Sequence, residues 1–368
     1  MDREFLELYN QELKLLKEHA KEFADEYPGI ADRLGGLLED RMDPMISGLL
    51  EGSAFLAARV QLKLKHEFPE FTSNLLEQLI PDFLAPTPSV ALVQITPPYG
   101  DPALLEGKRC ARGAYLDATY LERDRRIACR YRLADDVWIW PFEITAAEYL
   151  PATAALQAAG LAVDARARAG LKLTVTTRMA ARGDAEVGDR EAVAKPETHA
   201  ARVRVRDLTV HLTGPESDAV ALYEQIFAHR TKMWARWFDG YGDPVVMEVD
   251  PTIVHQIGLG RDDGLSPNDT RIFHGFALLR DYFIFPRKYI GFRLSDLDRL
   301  VPRIPAKSFD LFMTFDEVDP RLAAAVTRDM FALYAAPAVN LFEKSTDRIA
   351  VKSHQHEYHV VPARSRPI

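Results

Sequence analysis

The stretch FALLRDYFIFPRKYIGFRL at residues 276–294 constrains the fold most, because its pattern changes from one secondary structure to another within a few positions. Phe276, Leu279 and Phe283 recur at spacings of three and four, which predicts a helix with one apolar face. Pro286 lacks a backbone N–H, so the helix should end before it. The aromatic and β-branched residues that follow predict a strand. We therefore expect a packing element whose helix is followed by a core strand.

The N-terminal residues 4–27 carry the clearest helical pattern. Phe5, Tyr9, Leu13 and Leu16 begin an apolar stripe that continues at helical spacing, with charged residues over the remaining surface. A proline and a glycine then end the helix. Two interpretations remain open for the stripe. It packs within its own domain, or it forms a seam with another chain.

A second helix is predicted from Asp43-Pro44, since aspartate caps helices and proline suits the first helical position. Its small residues predict a close crossing with another helix. Pro69 is expected to separate it from a third helix. The residues proposed from the sequence as a partner interface are Phe5, Tyr9, Leu13, Leu16, Gly48, Gly52 and Ala54.

The period changes at Val90, where short segments rich in valine, isoleucine, tyrosine and tryptophan begin between glycine, proline and aspartate residues. The sequence thus predicts an α+β fold, with a helical N-terminal block followed by mixed, mostly antiparallel β domains with short helices. We expect a helical block at 1–88, a β-rich domain at 89–214 with a flexible loop at 180–201, and an α+β domain at 215–368 that contains the 276–294 element.

Composition excludes several classes of function. With a net charge of −8 and no long basic run, the chain has no pattern typical of nucleic-acid binding. No apolar run reaches the roughly 18–20 residues needed to span a membrane. The charged, amphipathic N-terminus is not a signal peptide. Cys110 and Cys129 are too few for a disulfide framework, which favours a reducing, cytoplasmic setting.

The segment SHQHEYHVV offers the best candidate metal ligands, namely His354, His356 and His359. On a strand, the first two would share one face and the third would lie on the other, so only two could bind one metal. A metal-dependent hydrolase using these histidines is the alternative function. The common hydrolase, nucleotide-binding and metalloprotease motifs are missing from the sequence. We therefore expect no catalytic activity, no metal and no cofactor.

Three long blocks resemble a known family. They are LLRDYFIFPRKYIGF at 278–292, FPEFTSNLLEQLIPDFLAPTPS at 68–89, and PAVNLFEKSTDRIAV followed by HEYHVVPARSRP within 337–367. In sequence and in order they resemble the TssF family (also ImpG or VasA) of type VI secretion baseplate subunits, along the whole chain. Members of that family usually continue beyond the last block. The resemblance therefore implies that this chain, which stops at Ile368, lacks the family's C-terminal region.

The resemblance implies a structural wedge component of the baseplate, the platform on which the contractile tail is built. It implies that the chain acts by binding and conformational relay, in the cytoplasm, at the inner face of the membrane complex. The implied partners are TssG and a second TssF copy, with TssK, TssE and the spike protein in the larger assembly. A wedge protein of a phage-tail-like contractile particle would share this architecture and is a second alternative.

Overall fold

The computed structural model describes residues 3–33, 43–80, 83–122, 125–179, 199–266, 273–346, 348–355 and 358. The chain divides into two compact units, which we call the helical unit, Met1–Pro86, and the sheet unit, Thr87–Ile368. None of the helices in the described part of the chain is long and apolar enough to cross a membrane.

The helical unit contains three helices, α1 (Arg3–Glu26), α2 (Pro28–Arg33) and α3 (Pro44–Leu79). The carboxylate of Asp43 accepts a hydrogen bond from the backbone N–H of Met45 at 2.8 Å, which satisfies one of the free donors at the start of α3. The predicted start of this helix is therefore confirmed.

Pro69 lies inside α3, so the prediction that it separates two helices is wrong. The proline removes one backbone donor, but the residues on both sides stay helical. The hydroxyl of Thr72 donates to the carbonyl of Pro69 at 2.9 Å, which supports the turn that follows the proline. Consequently α3 is one helix of 36 residues, and an α-helix of that length is about 54 Å long.

The sheet unit combines fifteen strands with five short helices among its described residues. The strands are β1 (Val90–Gln94), β2 (Lys108–Cys110), β3 (Tyr115–Glu122), β4 (Arg125–Leu133), β5 (Val137–Ile139), β6 (Phe142–Leu150), β7 (Ala169–Thr177), β8 (Leu208–Leu212), β9 (Arg230–Phe238), β10 (Pro244–Val249), β11 (Val254–Gln256), β12 (Gly291–Leu294), β13 (Ser308–Phe315), β14 (Phe331–Leu333) and β15 (Ala335–Val339). The helices are α4 (Thr153–Ala158), α5 (Glu216–Ala228), α6 (His274–Ile284), α7 (Leu297–Leu300) and α8 (Leu322–Ala325).

The strands form a five-stranded sheet in the order β10-β9-β13-β7-β6 and two four-stranded sheets, β1-β15-β4-β3 and β11-β12-β8-β14. A two-stranded sheet joins β2 and β5. All the pairs between these strands are antiparallel. The α+β fold class predicted from the sequence is therefore confirmed.

The core lies between these sheets and the short helices. Strand β13, at the centre of its sheet, is buried from Phe309 to Phe315, as expected for a strand that is covered on both faces. Phe142, Phe292 and Phe315 are among the largest side chains that are fully buried.

The predicted boundary at residue 214 falls inside the sheet unit. Strand β7, before the boundary, pairs with β13 after it, and β1 pairs with β15. Segments 89–214 and 215–368 therefore share their sheets. The sequence did not predict this, because strands that pair can be far apart in the chain and local turn signals do not reveal their partners. Most of the predicted 180–201 loop, residues 180–198, lies outside the described residues, so its flexibility stays a prediction.

The end of the chain also differs from the expectation. The histidine segment was expected to lie on a strand, but residues 340–346 and 348–355, which include His354, have no regular secondary structure. The backbone N–H of Asn340 still donates to the carbonyl of Ser89 at 2.9 Å, so the segment begins against the first strand of the sheet unit. Most of the following side chains are exposed.

His211, in strand β8, is a buried histidine whose pKa burial lowers to about 4. As the pH falls, His211 is therefore protonated in the unfolded chain at a higher pH than in the folded chain. Above about pH 6.5 the histidine is neutral in both states and costs no stability, and the unfolding free energy decreases as the pH falls from there toward 4. We expect the unfolding free energy of the sheet unit to fall by about 3 kcal/mol more in the unmodified chain than in His211→Leu over this range. Urea denaturation at several pH values would measure this, and parallel pH profiles for the two proteins would contradict it.

Candidate assembly surface

Helices α1 and α3 pack against each other. The rings of Phe5 and Phe55 meet edge to face with centroids 5.1 Å apart, and the side-chain amide of Gln61 donates to the carboxylate of Glu12. Ala54 and Ala58 are fully buried and share the face of α3 that carries Gln61. Small side chains on this face let the two helices approach closely.

An ion pair lies at the edge of this contact. The ammonium of Lys65 lies 2.5 Å from the carboxylate of Glu4, and the ring of His66 is 3.4 Å from the same carboxylate. The hydrogen bond from Lys65, followed by that from His66, lowers the pKa of Glu4, and Glu4 in turn raises the pKa of Lys65. Because these groups face solvent, the pair orients the helices more than it stabilises them.

The structure divides the interface residues predicted from the sequence into three groups. On α1, the four predicted stripe residues Phe5, Tyr9, Leu13 and Leu16 are all half-buried. Ala54 is buried against the helix pair, whereas Gly48 and Gly52 are exposed, and a Cβ built on either glycine would meet no atom within 4 Å. The predicted residues therefore do not form one surface.

A longer apolar surface lies on the outward side of α3, and we call it the α3 stripe. Its members are between 46% and 76% exposed and recur at helical spacing over most of the helix: Met45, Leu49, Leu56, Val60, Leu64, Phe71 and Leu75. Gly52 lies within this row, one turn from both Leu49 and Leu56. The helical spacing of these residues alone could not show which side of α3 is covered by α1.

Apolar surface of this extent is unusual on a protein that acts alone, and it usually marks a site of contact with another protein. A helix with one apolar side against its neighbour and a second apolar side facing outward is typical of a helix that packs between two others. The exposed Gly52 would let the backbone of a second helix come close at the middle of the stripe. The α3 stripe is therefore suited to bind a partner helix.

Helix α6, in the sheet unit, has a second exposed apolar face. Phe276, Leu279 and Phe283, predicted from the sequence to pack in the core, are 45%, 57% and 76% exposed. The expectation that this face is buried is wrong, although the break at Pro286 and the following strand β12 are confirmed. The helical period is the same whether a stripe faces the core or the surface, so the sequence could not separate the two.

The buried side of α6 carries a charge instead. The carboxylate of Asp281 is 1% exposed and accepts from the ammonium of Lys288 at 2.8 Å and from the backbone N–H of Leu265 at 2.9 Å. The guanidinium of Arg280 lies 3.7 Å from its other oxygen. Burial, together with the negative charge of Asp281, raises the pKa of Tyr289 to about 12. This ion pair holds the α6 corner with its apolar face outward.

The candidate metal ligands do not form a centre in the described part of the chain. His354 is exposed, and His356 and His359 lie outside the described residues. Among the residues that the structure describes, no group of three or more histidine, cysteine, aspartate or glutamate side chains could hold a metal ion.

Comparison with known proteins gives a consistent result. The sequence matches the protein-family model for the type VI secretion system protein TssF over residues 1–368. It is 34% identical over 368 residues to the type VI secretion system component TssF1 of Pseudomonas aeruginosa, covering all of this chain and 56% of that protein. The chain thus spans about half the length of this curated relative.

A solved structure shares the fold. A chain in the cryo-electron microscopy structure of a type VI secretion system TssK-TssF-TssG baseplate subcomplex superposes with a TM-score of 0.63 and 22% sequence identity. The match covers 87% of this chain and 53% of the other.

Proposed function

Since this chain belongs to the TssF family of the type VI secretion system, we propose that it is a structural component of the baseplate and acts by assembly with other subunits. The proposed partners are TssG and a second TssF copy, with TssK, TssE and the spike protein in the larger assembly. The proposed location is the cytoplasmic side, where the baseplate docks on the membrane complex. We propose no catalytic role. Family membership disfavours both the metal-dependent hydrolase and the phage-tail-like wedge protein.

The α3 stripe is the observation that carries this proposal. Its apolar side chains lie outside the face of α3 that carries the buried Ala54 and Ala58 and packs against α1. Covering a side chain such as Leu56 or Leu64 with a partner helix would remove apolar surface from water, which is favourable by about 25 cal/mol per Å². We propose that a helix of TssG or of a second copy binds along this stripe.

The first test changes the stripe itself. The double variant Leu56→Asp/Leu64→Asp should fold normally, since both side chains are more than 60% exposed. It should bind TssG and a second copy at least about 100-fold more weakly, because each carboxylate would be buried in an apolar contact. Co-purification, with affinity measured by titration, tests binding, and circular dichroism tests folding.

Two further variants complete this experiment. Lys21→Glu changes the net charge as much as the double variant but lies on the exposed side of α1, outside the α3 stripe, so it should bind normally. Tyr9→Asp/Leu16→Asp places charges on the half-buried side of α1 and should unfold the helical unit. If the α3 double variant binds as well as the unmodified chain, the stripe is not the assembly surface.

A further inference from the structure

Positive charge is concentrated where two segments of the sheet unit lie side by side, one leading into β8 and the other into β13. The backbone N–H of Ala200 donates to the carbonyl of Ala306 at 2.8 Å. The N–H of Leu297 donates to the carbonyl of Arg206 at 2.9 Å. Each bond joins the start of one segment to the end of the other, so the two segments run antiparallel and their backbones are held together.

The basic side chains of both segments are exposed, because apolar residues take the buried positions between them. Val203 and Val205 are buried, and the arginines that alternate with them are exposed. In the second segment Ile304 and Ala306 are buried, and the basic residues beside them are exposed. Five of these exposed cations form what we call the basic patch: Arg202, Arg206, Arg299, Arg303 and Lys307.

The charges of the basic patch are not neutralised within the described part of the chain. None of the five side chains has a carboxylate oxygen of a described residue within 4.0 Å. Arg204 is left out of the patch, because its guanidinium lies 3.1 Å from the carboxylate of Glu106. The chain as a whole has a net charge of −8. Adjacent unpaired cations on an acidic protein create a local positive potential that attracts an anionic partner.

The composition of residues 199–206 and 297–307 favours a protein partner over a membrane or a nucleic acid. Surfaces that bind membranes combine cations with apolar side chains that enter the bilayer, but both segments bury their large apolar side chains. Single-stranded nucleic acid stacks on aromatic side chains, and neither segment contains phenylalanine, tyrosine or tryptophan. Four of the five cations are arginines, whose planar guanidinium groups pair with carboxylates through two parallel hydrogen bonds.

A second copy of the chain is a poor partner for this surface. Two identical chains usually meet across a twofold axis, with the same patch on both sides of the contact. Such a contact would place two basic patches against each other, and like charges across an interface cost free energy. If the patch met a different surface of a second copy, the contact would not close on itself and would continue into a filament or a ring. These arguments favour a different protein as the partner.

We propose that the basic patch binds an acidic segment of a different baseplate subunit. The carboxylates of that segment pair with the guanidinium groups of the patch and with the ammonium of Lys307. The inference rests on the proposed function, since it takes the chain to assemble with other subunits. It uses a surface other than the α3 stripe, so the two surfaces can be tested separately.

Chemical cross-linking identifies the protein that lies against the patch. A carbodiimide joins an amine to a carboxylate in contact with it, and Lys307 supplies the amine of the patch. The chain is first assembled with purified TssG, TssK and TssE. Mass spectrometry should then find Lys307 joined to an aspartate or glutamate of one of these subunits. If Lys307 is joined only to a second copy, or stays unmodified while other lysines of the assembly are cross-linked, the inference is wrong.

Charge reversal measures what the patch contributes to binding. Arg202→Glu/Arg303→Glu should fold normally, since both side chains are exposed. It should bind the cross-linked subunit at least about tenfold more weakly, because repulsion replaces attraction at two positions. Arg166→Glu/Arg168→Glu is the matched control. These arginines are also exposed, and they precede β7 at the end away from Ser308, which follows the patch. The control variant should bind normally.

The outcomes separate this inference from the proposed function. Equal binding by the two double variants would overturn the inference and leave the proposed function intact. Failure of the unmodified chain to assemble would overturn both. If phosphatidylglycerol vesicles or duplex DNA bind the unmodified chain more tightly than any subunit does, and the patch variant loses that binding, the patch serves another polyanion and the inference is wrong. If circular dichroism shows that the patch variant is unfolded, the cross-links of the unmodified chain decide.

Discussion

Replacing Asp281 with alanine should lower the unfolding free energy of the sheet unit by about 3–5 kcal/mol, a typical cost of breaking a buried ion pair. The change leaves the ammonium of Lys288, only 5% exposed, without its carboxylate. It also removes the acceptor of the Leu265 N–H. An unpaired charge in the interior has no water to solvate it, so the loss is larger than for a surface pair.

Denaturation of two further variants shows whether the buried charge is the cause. Asp262→Ala removes an exposed carboxylate from the nearby loop and should change stability by less than about 0.5 kcal/mol. In Asp281→Ala/Lys288→Met both charges are absent, and the double variant should recover part of the loss. If the double variant is no more stable than Asp281→Ala, packing rather than charge pairing would explain the effect.

Gly291→Ala should destabilise the sheet unit by about 2–3 kcal/mol, because a methyl group has no room at this position. A Cβ on Gly291 would lie 2.5 Å from the carbonyl oxygen of Val210 and 2.6 Å from the Cδ1 of Ile257. The first neighbour is backbone of the paired strand β8, so it cannot rotate away. Strands β12 and β8 would have to move apart at Gly291, where β12 begins.

Gly240→Ala is the matched control, since a Cβ there would meet no atom within 4 Å and the residue belongs to the same unit. Its stability should stay within about 0.5 kcal/mol of the unmodified chain. Thermal unfolding of both variants would compare them directly. Equal melting temperatures for the two would mean that the strands around Gly291 adapt without cost.

Local patterns predicted the elements that depend on local physics. The stripe from Phe5 and the glycine after Pro28 predicted α1, and the Asp43 cap predicted the start of α3. Pro69 wrongly predicted a break between two helices, because proline opposes a helix locally while the rest of α3 remains helical around it. The penalty of one proline is small beside the many bonds of a long helix.

The candidate surfaces were harder to predict, because exposure depends on which neighbours cover a helix. The face of α6 with Phe276 and Phe283 has the spacing of a core helix, but the buried position is taken by Asp281. Its partner Lys288 lies across the proline break, so a helical period does not reveal the pair. The sequence likewise placed most of the candidate partner interface on α1, because helical spacing does not show which side of α3 is left exposed. Sheet order depends on pairings that local sequence does not encode.

The pairing of β1 with β15 determines when the sheet unit can fold during synthesis. Val90 is paired with Val339, so the sheet that contains them stays incomplete until most of the chain has left the ribosome. Helices α1 and α3, whose contacts are closer in sequence, can form much earlier. The nascent chain therefore exposes the apolar α3 stripe before its sheet unit can fold. During that period, binding of a chaperone or of another subunit would protect the nascent chain from aggregation.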